Sequence, residues 1–354
     1  MGSHSPIGYD DDEKELRRMP LFSRYALGME WSDSLFKLVE IKKGFRKIRL
    51  TQYTVHPLLS AWRENPSAMD REELILSVRD ALAGRRLKTR RVHLALGARH
   101  VVTGIWKIPR MRASRMRRWI RDKLIPRWNL PFDDPYFDVL PIPSMWREGD
   151  HQEVVVAVVS RAYLDEQVDL VRCCGLEPVR IDLSALSLQR WIDFAEEGFP
   201  QQPATFHFSH NGVEVNLFHR GVLQGGTYLP LQMDRFLEPE DRPGMEPLTP
   251  VLTDSDPIRS YGTALLEALR KEGPEWLNRE LWKRGRIWIL TGAGIDLSQL
   301  MLWMQSQQTP PLKMGTGPQK LMEEDLSLQS SRWLGSALSI PLGAALSEVL
   351  DEST

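Results

Sequence analysis

Apolar and polar positions along the chain repeat one theme twice. Residues 25–30, 35–41 and 46–55 are short runs of alternating or β-branched apolar character parted by polar breaks, and they predict three consecutive antiparallel strands. In 71–83 the apolar residues Leu74, Ile75, Val78 and Leu82 share one helix face, and Gly84 stops it. Strands follow at 92–96 and 101–108, then a helix over 112–128 with Met116, Trp119, Ile120 and Leu124 as its apolar stripe. A strand at 134–140 and the near-continuous β-branched run 153–159 come next, the latter patterned as a strand covered on both faces. Helix 162–174, strand 178–181 and helix 184–195 lead to a Pro/Gln-rich hinge near 198–203. The opening theme then returns: strands at 204–208, 213–218 and 222–228, with tight turns at Asn211-Gly212 and Arg220-Gly221. A proline-rich loop over 238–257, a helix over 258–271 and a buried strand over 286–290 run into Thr291-Gly292-Ala293-Gly294. Helices at 297–305 and 335–350 follow.

Halves that each open on a three-stranded meander and continue into alternating helix and strand imply an internal duplication rather than one doubly wound sheet. The pattern looks like the duplicated actin-like (ribonuclease H-like) α/β fold. In that fold the turn between the first two strands of each half offers backbone N–H groups to phosphate, and a late glycine loop accepts adenosine.

The length of 354 residues supports two domains without metal or disulfide staples, and 42% hydrophobic with 26% charged residues is ordinary for a globular chain. Cys173 and Cys174, the only cysteines, are neighbours; they suit a reducing compartment and packing rather than redox or metal work. The longest apolar run, 154–159, falls far short of the roughly 20 residues of a membrane-spanning helix. Residues 1–24 read as a polar, disordered leader, with Asp10 to Glu13 where a secretory signal would be basic. His207, His210 and His219 are expected on strand faces or in solvent rather than around a metal.

A net charge of −1 hides one imbalance: residues 85–127 hold fifteen Lys and Arg against a single acid, Asp122. The predicted helix within it sets Arg112, Arg115, Arg117, Arg118 and Arg121 beside its apolar stripe. That face suits a protein partner or an anionic membrane, a simple solvated surface, or nucleic-acid phosphates. No base-reading module accompanies it, and nucleic acid is not expected.

Several stretches carry a family resemblance. LGMEWSDSLFKLVEI (27–41) is similar to the GIDIGSSSVKLVEL pattern of the PilM family, the actin-like proteins of type IV pilus assembly, akin to the cell-division protein FtsA. LPFDDPYFDVL (130–140) resembles that family's PF…D…VL segment. EVVVAVVSRAYLDEQVDLVRCCGLEPVRIDLSALSLQRW (153–191) resembles its strand, helix, AGLEP and VD…AL run. IWILTGAGIDLSQL (287–300) looks like the adenosine loop, and LGSALSIPLGAALSE (334–348) like the closing helix. The cytoplasmic part of the type II secretion protein GspL shares the fold. By resemblance, 25–98 with 182–200 form the first domain, 99–181 an inserted FtsA/PilM-type subdomain, and 201–354 the second domain, its own subdomain reduced to 230–285.

The nucleotide site implied by the resemblance is degraded here. Its first acid and glycine fall on Glu30 and Ser32, with bulky Trp31 between them and Asp33 added; Asp33 alone opposes a triphosphate by about 1 to 4 kcal/mol at about 4 Å. Its second Asp-x-Gly falls on His207, Phe208 and Ser209, so the magnesium-holding acid is missing, while Gly292 and Gly294 persist. No ATP or magnesium cofactor and no hydrolysis are expected, the alternatives being a functional ATP-binding actin-like protein or a GspL-like secretion component. The resemblance implies a cytoplasmic scaffold, peripheral at the inner face of the membrane. It would bind the short cytoplasmic tail of a PilN-like bitopic protein, and with it other components of a pilus, competence or secretion machine.

Overall fold

The computed structural model describes residues 25–32, 34–45, 47–58, 71–142, 151–196, 198–237, 247–271, 275–323 and 333–350. The leader 1–24, Asp33 and residues 238–246 of the proline-rich loop lie outside the described residues.

Strands β1 (Tyr25–Trp31), β2 (Leu35–Lys43) and β3 (Ile48–Pro57) form the first meander, followed by α1 (Arg71–Leu82) and β4 (Arg91–Leu96). Then come β5 (Val101–Pro109), α2 (Ala113–Trp119), β6 (Pro135–Pro141) and β7 (His151–Ser160). Helix α3 (Arg161–Cys173), β8 (Glu177–Leu183) and α4 (Ser184–Glu196) close the half. The second meander is β9 (Pro203–Ser209), β10 (Gly212–His219) and β11 (Val222–Leu229). It continues with α5 (Ser255–Lys271), α6 (Glu275–Leu281), β12 (Ile287–Gly292), α7 (Leu297–Gln305), β13 (Leu312–Met314) and α8 (Ser339–Leu350).

The duplication is explicit in the sheets. One has the order β3-β2-β1-β4-β8 and the other β11-β10-β9-β12-β13. In each, an antiparallel meander is extended by two strands parallel to its first. A third, antiparallel sheet in the order β5-β7-β6 is inserted between β4 and β8. Val154, Val156 and Val158 of β7 pack one face of it on Met116, Ile120 and Leu124. The inserted sheet is thus built from 101–160, whereas β8, inside the expected 99–181 unit, pairs in parallel with β4 and belongs to the first sheet. Helix α3 joins it there, because Leu170 and Val171 bury against Leu94 and Leu96.

Four local departures have local causes. The basic helix is regular only to Trp119; Ile120–Leu124 widen to a π turn and Ile125–Arg127 tighten to 3-10, because Pro126 has no N–H to continue the ladder. Helix α5 starts at Ser255 and holds Pro257 within its first turn, where the missing N–H has no intrahelical role. Helix α8 starts at Ser339 rather than 335, after turns through 335–338. Short α6 and β13 carry too few residues to show a period, so the pattern does not reveal them.

The halves are welded by α4 and α8. Leu188 and Ile192 of α4 with Ile340 and Ala344 of α8 form one buried cluster with Ala95 of β4 and Ile289 of β12. Two glycines permit the contact: a Cβ on Gly28 would lie 1.8 Å from Pro341 O, and one on Gly343 would lie 1.7 Å from Ser187 O. Among the described residues no helix is long and apolar enough to cross a membrane.

Candidate functional site

The two duplicated turns meet where the halves face each other. On β1, Glu30 stands opposite Lys37 of β2, seven residues on, with Nζ to Oε2 at 3.1 Å. On β9, His207 stands opposite Glu214 of β10, again seven residues on. All four side chains are buried. Each half therefore plants a cross-strand polar pair at the same place, and the pairs reach across the gap.

His207 Nε2 lies 3.5 Å from Glu30 Oε1. Its Nδ1 is 2.9 Å from Thr291 Oγ1, whose own proton goes to Phe206 O at 3.1 Å. Nε2 is aimed at Glu30 without a hydrogen bond to it. In the opposite direction, Glu214 of the second half accepts from Ala98 N at 2.8 Å and from Ser184 Oγ in the first half. Asn216 Nδ2 donates to the same carboxylate at 2.8 Å. Burial alone would raise the Glu30 pKa, but the Lys37 ammonium and then His207 outweigh it and hold the group at about 2. A cavity of about 10 Å³ beside Glu214, lined by Ala98, Thr103, Ser184 and Asn216 among others, has room for about one water and is far below the roughly 300 Å³ of usual ligand pockets.

Ser32, Ser209 and the Gly292 loop already use donors within the protein. Ser32 N closes its hairpin on Leu35 O at 2.9 Å, and Ser32 Oγ accepts from Leu35 N at 3.1 Å. Trp31 packs on Phe36, with ring centroids 5.1 Å apart. In the second turn Ser209 Oγ donates to Gly212 O at 3.0 Å, and His210 turns away to Asp234 at 2.8 Å. His219 is exposed at the far end of β10. Gly292 N donates to Ser336 Oγ at 3.2 Å, and Ala293 N to Phe208 O at 3.1 Å. Gly292 sits at φ 107°, and a Cβ there would lie 2.2 Å from Phe208 O, so this glycine lets β12 end tight against the second turn. At Gly294 the Cβ would meet Met233 Sδ at 2.8 Å.

The structure brings together Glu30, His207 and the Gly292 loop, and it leaves the arginines elsewhere. Arg112, Arg115, Arg117, Arg118 and Arg121 are all exposed on the inserted unit. Arg117 is committed to Asp138 Oδ1 at 2.6 Å and Phe137 O at 3.1 Å, and Arg121 to neighbouring Asp122 at 2.9 Å. The sequence pattern does not single out Lys37, Glu214, Ser184 and Thr291, although Lys37 and Glu214 share a seven-residue spacing from Glu30 and His207.

No protein-family profile and no curated protein sequence matches the chain. Among solved structures, a chain of the PilM–PilN type IV pilus biogenesis complex superposes with a TM-score of 0.72 at 19% identity, over 92% of this chain and 98% of that one. The cytoplasmic domain of EpsL, an inner-membrane component of the type II secretion system of Vibrio cholerae, aligns with a TM-score of 0.45 at 11% identity, over 88% and 97%. The fold is the duplicated actin-like one, with its inserted subdomain.

Proposed function

We propose that the protein is a non-hydrolysing scaffold of a type IV pilus or related secretion machine, cytoplasmic and peripheral to the membrane, which holds the tail of a PilN-like membrane protein. The observation that carries this reading is the end-to-end likeness to a chain of the PilM–PilN complex. The cleft adds support from chemistry. A magnesium nucleotide needs open backbone N–H groups and a free carboxylate. Here Glu30 is tied to Lys37, the second acid is His207, and N–H groups of the first turn and of the glycine loop close on the protein itself. These residues do not suit that cofactor, and no step of catalysis is assigned to it.

The tail's place is the inserted sheet. Phe137 and Val139 of edge strand β6 turn toward α2, while Tyr136 and Leu140 stand exposed on the alternate face, 41% and 56% open. Arg161, at the start of α3, stacks over Tyr136 and pairs with Asp134, so this face borders the first domain. An extended peptide can pair with such an edge and seat alternate apolar side chains. Calorimetry with the first ten to fifteen or so residues of the PilN-like protein should show micromolar binding. Tyr136→Ser with Leu140→Ser should abolish it. Absence of binding for both this peptide and the complete cytoplasmic tail would overturn the reading.

A further inference from the structure

The first sheet has a second unusual end, opposite Glu30. The β2–β3 hairpin closes where Gly44 N donates to Lys47 O at 2.9 Å, and Phe45, next to Gly44, is fully in water at 101% exposure. A single exposed apolar side chain needs no explanation by itself, so its surroundings decide what it can do.

The surroundings of that ring are basic. Lys42 and Lys43 end β2, and Lys47 is exposed just before β3. Parallel pairing of Leu27 with Val92 puts the start of β4, Arg91, at this same end. The segment leading into β4 crosses beneath β2 and β3, since Lys88 N donates to Glu40 Oε1 at 2.6 Å and Gln52 Nε2 to Arg86 O at 3.0 Å. Exposed Arg85, Arg86, Lys88, Arg90 and Arg91 therefore share the rim with the hairpin lysines. Some of these cations are anchored: Lys43 to Val349 O at 2.8 Å, Arg90 to Gly175 O at 3.1 Å, and Lys42 over the Tyr25 ring. Among the described residues the acids here do not balance them. Glu40 is buried and taken by Lys88 N and Thr51, Glu323 is paired with Arg49, and Glu177 stands opposite Arg91.

We propose that this end of the first sheet docks on an anionic lipid bilayer, with Phe45 entering the headgroup boundary and the Lys and Arg rim facing the lipid phosphates. The shape decides the class of partner. A single ring on a convex tip lacks the adjoining apolar floor that a protein interface core needs. Projecting beyond the cations, it would hold a rigid duplex away from them. A fluid interface instead accepts one aromatic anchor and gains from each basic residue near its surface. The inference stands apart from the partner tail and from the cleft.

The test is co-sedimentation of the full chain with vesicles of phosphatidylcholine alone and of phosphatidylcholine with about one third phosphatidylglycerol. Binding is expected only to the second and should fall with salt. Phe45→Ala should weaken it on the order of tenfold and Phe45→Trp should keep it. Lys47→Glu with Arg86→Glu should weaken it by about tenfold or more. Arg115→Glu with Arg118→Glu, on α2, should leave it unchanged. Equal binding to both vesicles, no binding to either, full binding by Phe45→Ala, or dependence on the α2 pair would each overturn the proposal. Retention of duplex DNA in place of vesicles would reassign the surface to polyanions and overturn it as well.

Discussion

Glu30 is the residue on which the cleft turns, because its charge is buried and compensated at short range. Its pKa of about 2 lies below the ordinary 4.5, so its ionisation stabilises the fold above that ordinary value and the contribution is lost as pH falls toward about 2. A shift of this size corresponds to about 3 kcal/mol. Thermal melts should show wild-type stability dropping between about pH 5 and pH 2, with a flatter acid limb in Glu30→Leu/Lys37→Met. Lys37→Met alone leaves a buried carboxylate with only His207 beside it and should cost about 3 to 5 kcal/mol at pH 7, whereas the double replacement should come close to wild type. Loss of the same stability in the double variant as in the single would refute the pairing. Half of this arrangement is legible in the sequence. Glu30 and His207 stand at motif positions, but Lys37 and Glu214 acquire their role from cross-strand register, which depends on turn geometry more than on residue type.

At the scale of elements, strands declare themselves and seams do not. The alternation in β1 to β3 and β9 to β11 sets both meanders, since one face of each strand must find a core. The apolar character of α8 shows that it is buried, yet the sequence does not say against what. Gly28 and Gly343 supply that answer only once β1 and α4 are in place. Gly343→Ala must push α8 off the Ser187 backbone and should lower stability by about 1 to 3 kcal/mol in denaturant melts. A neutral Gly343→Ala would mean that α8 is seated differently. The basic helix divides in the same way. Its stripe predicts the packing on β7, but only the structure separates Arg117, bound to β6, from Arg115 and Arg118. Charge reversal at those two exposed positions should move stability by no more than about 0.5 kcal/mol.

For the whole molecule, the consequence of the weld is that the two facing turns are joined by the protein's own side chains. In nucleotide-binding members of this fold the turn of each half offers backbone N–H groups to phosphate. Here Glu30 meets His207 and Glu214 meets Ala98 N, while Ile289 and Ala95 share one core through α4 and α8. Nucleotide entry between the halves would have to part the Glu30–His207 and Glu214–Ala98 contacts and free the Ser32 and Ala293 N–H groups now bonded within the protein. Each buried group left unmatched costs about 1 to 3 kcal/mol, which is comparable with the whole binding energy of a weak ligand. Magnesium ATP at about 1 mM should accordingly leave the melting temperature unchanged. A site with a Kd of about 10 µM would instead add roughly 2.7 kcal/mol by mass action, an upward shift of a few degrees that a thermal melt resolves readily. Such a shift would overturn the closed-cleft reading while leaving the partner tail and the membrane-facing hairpin to stand on their own measurements.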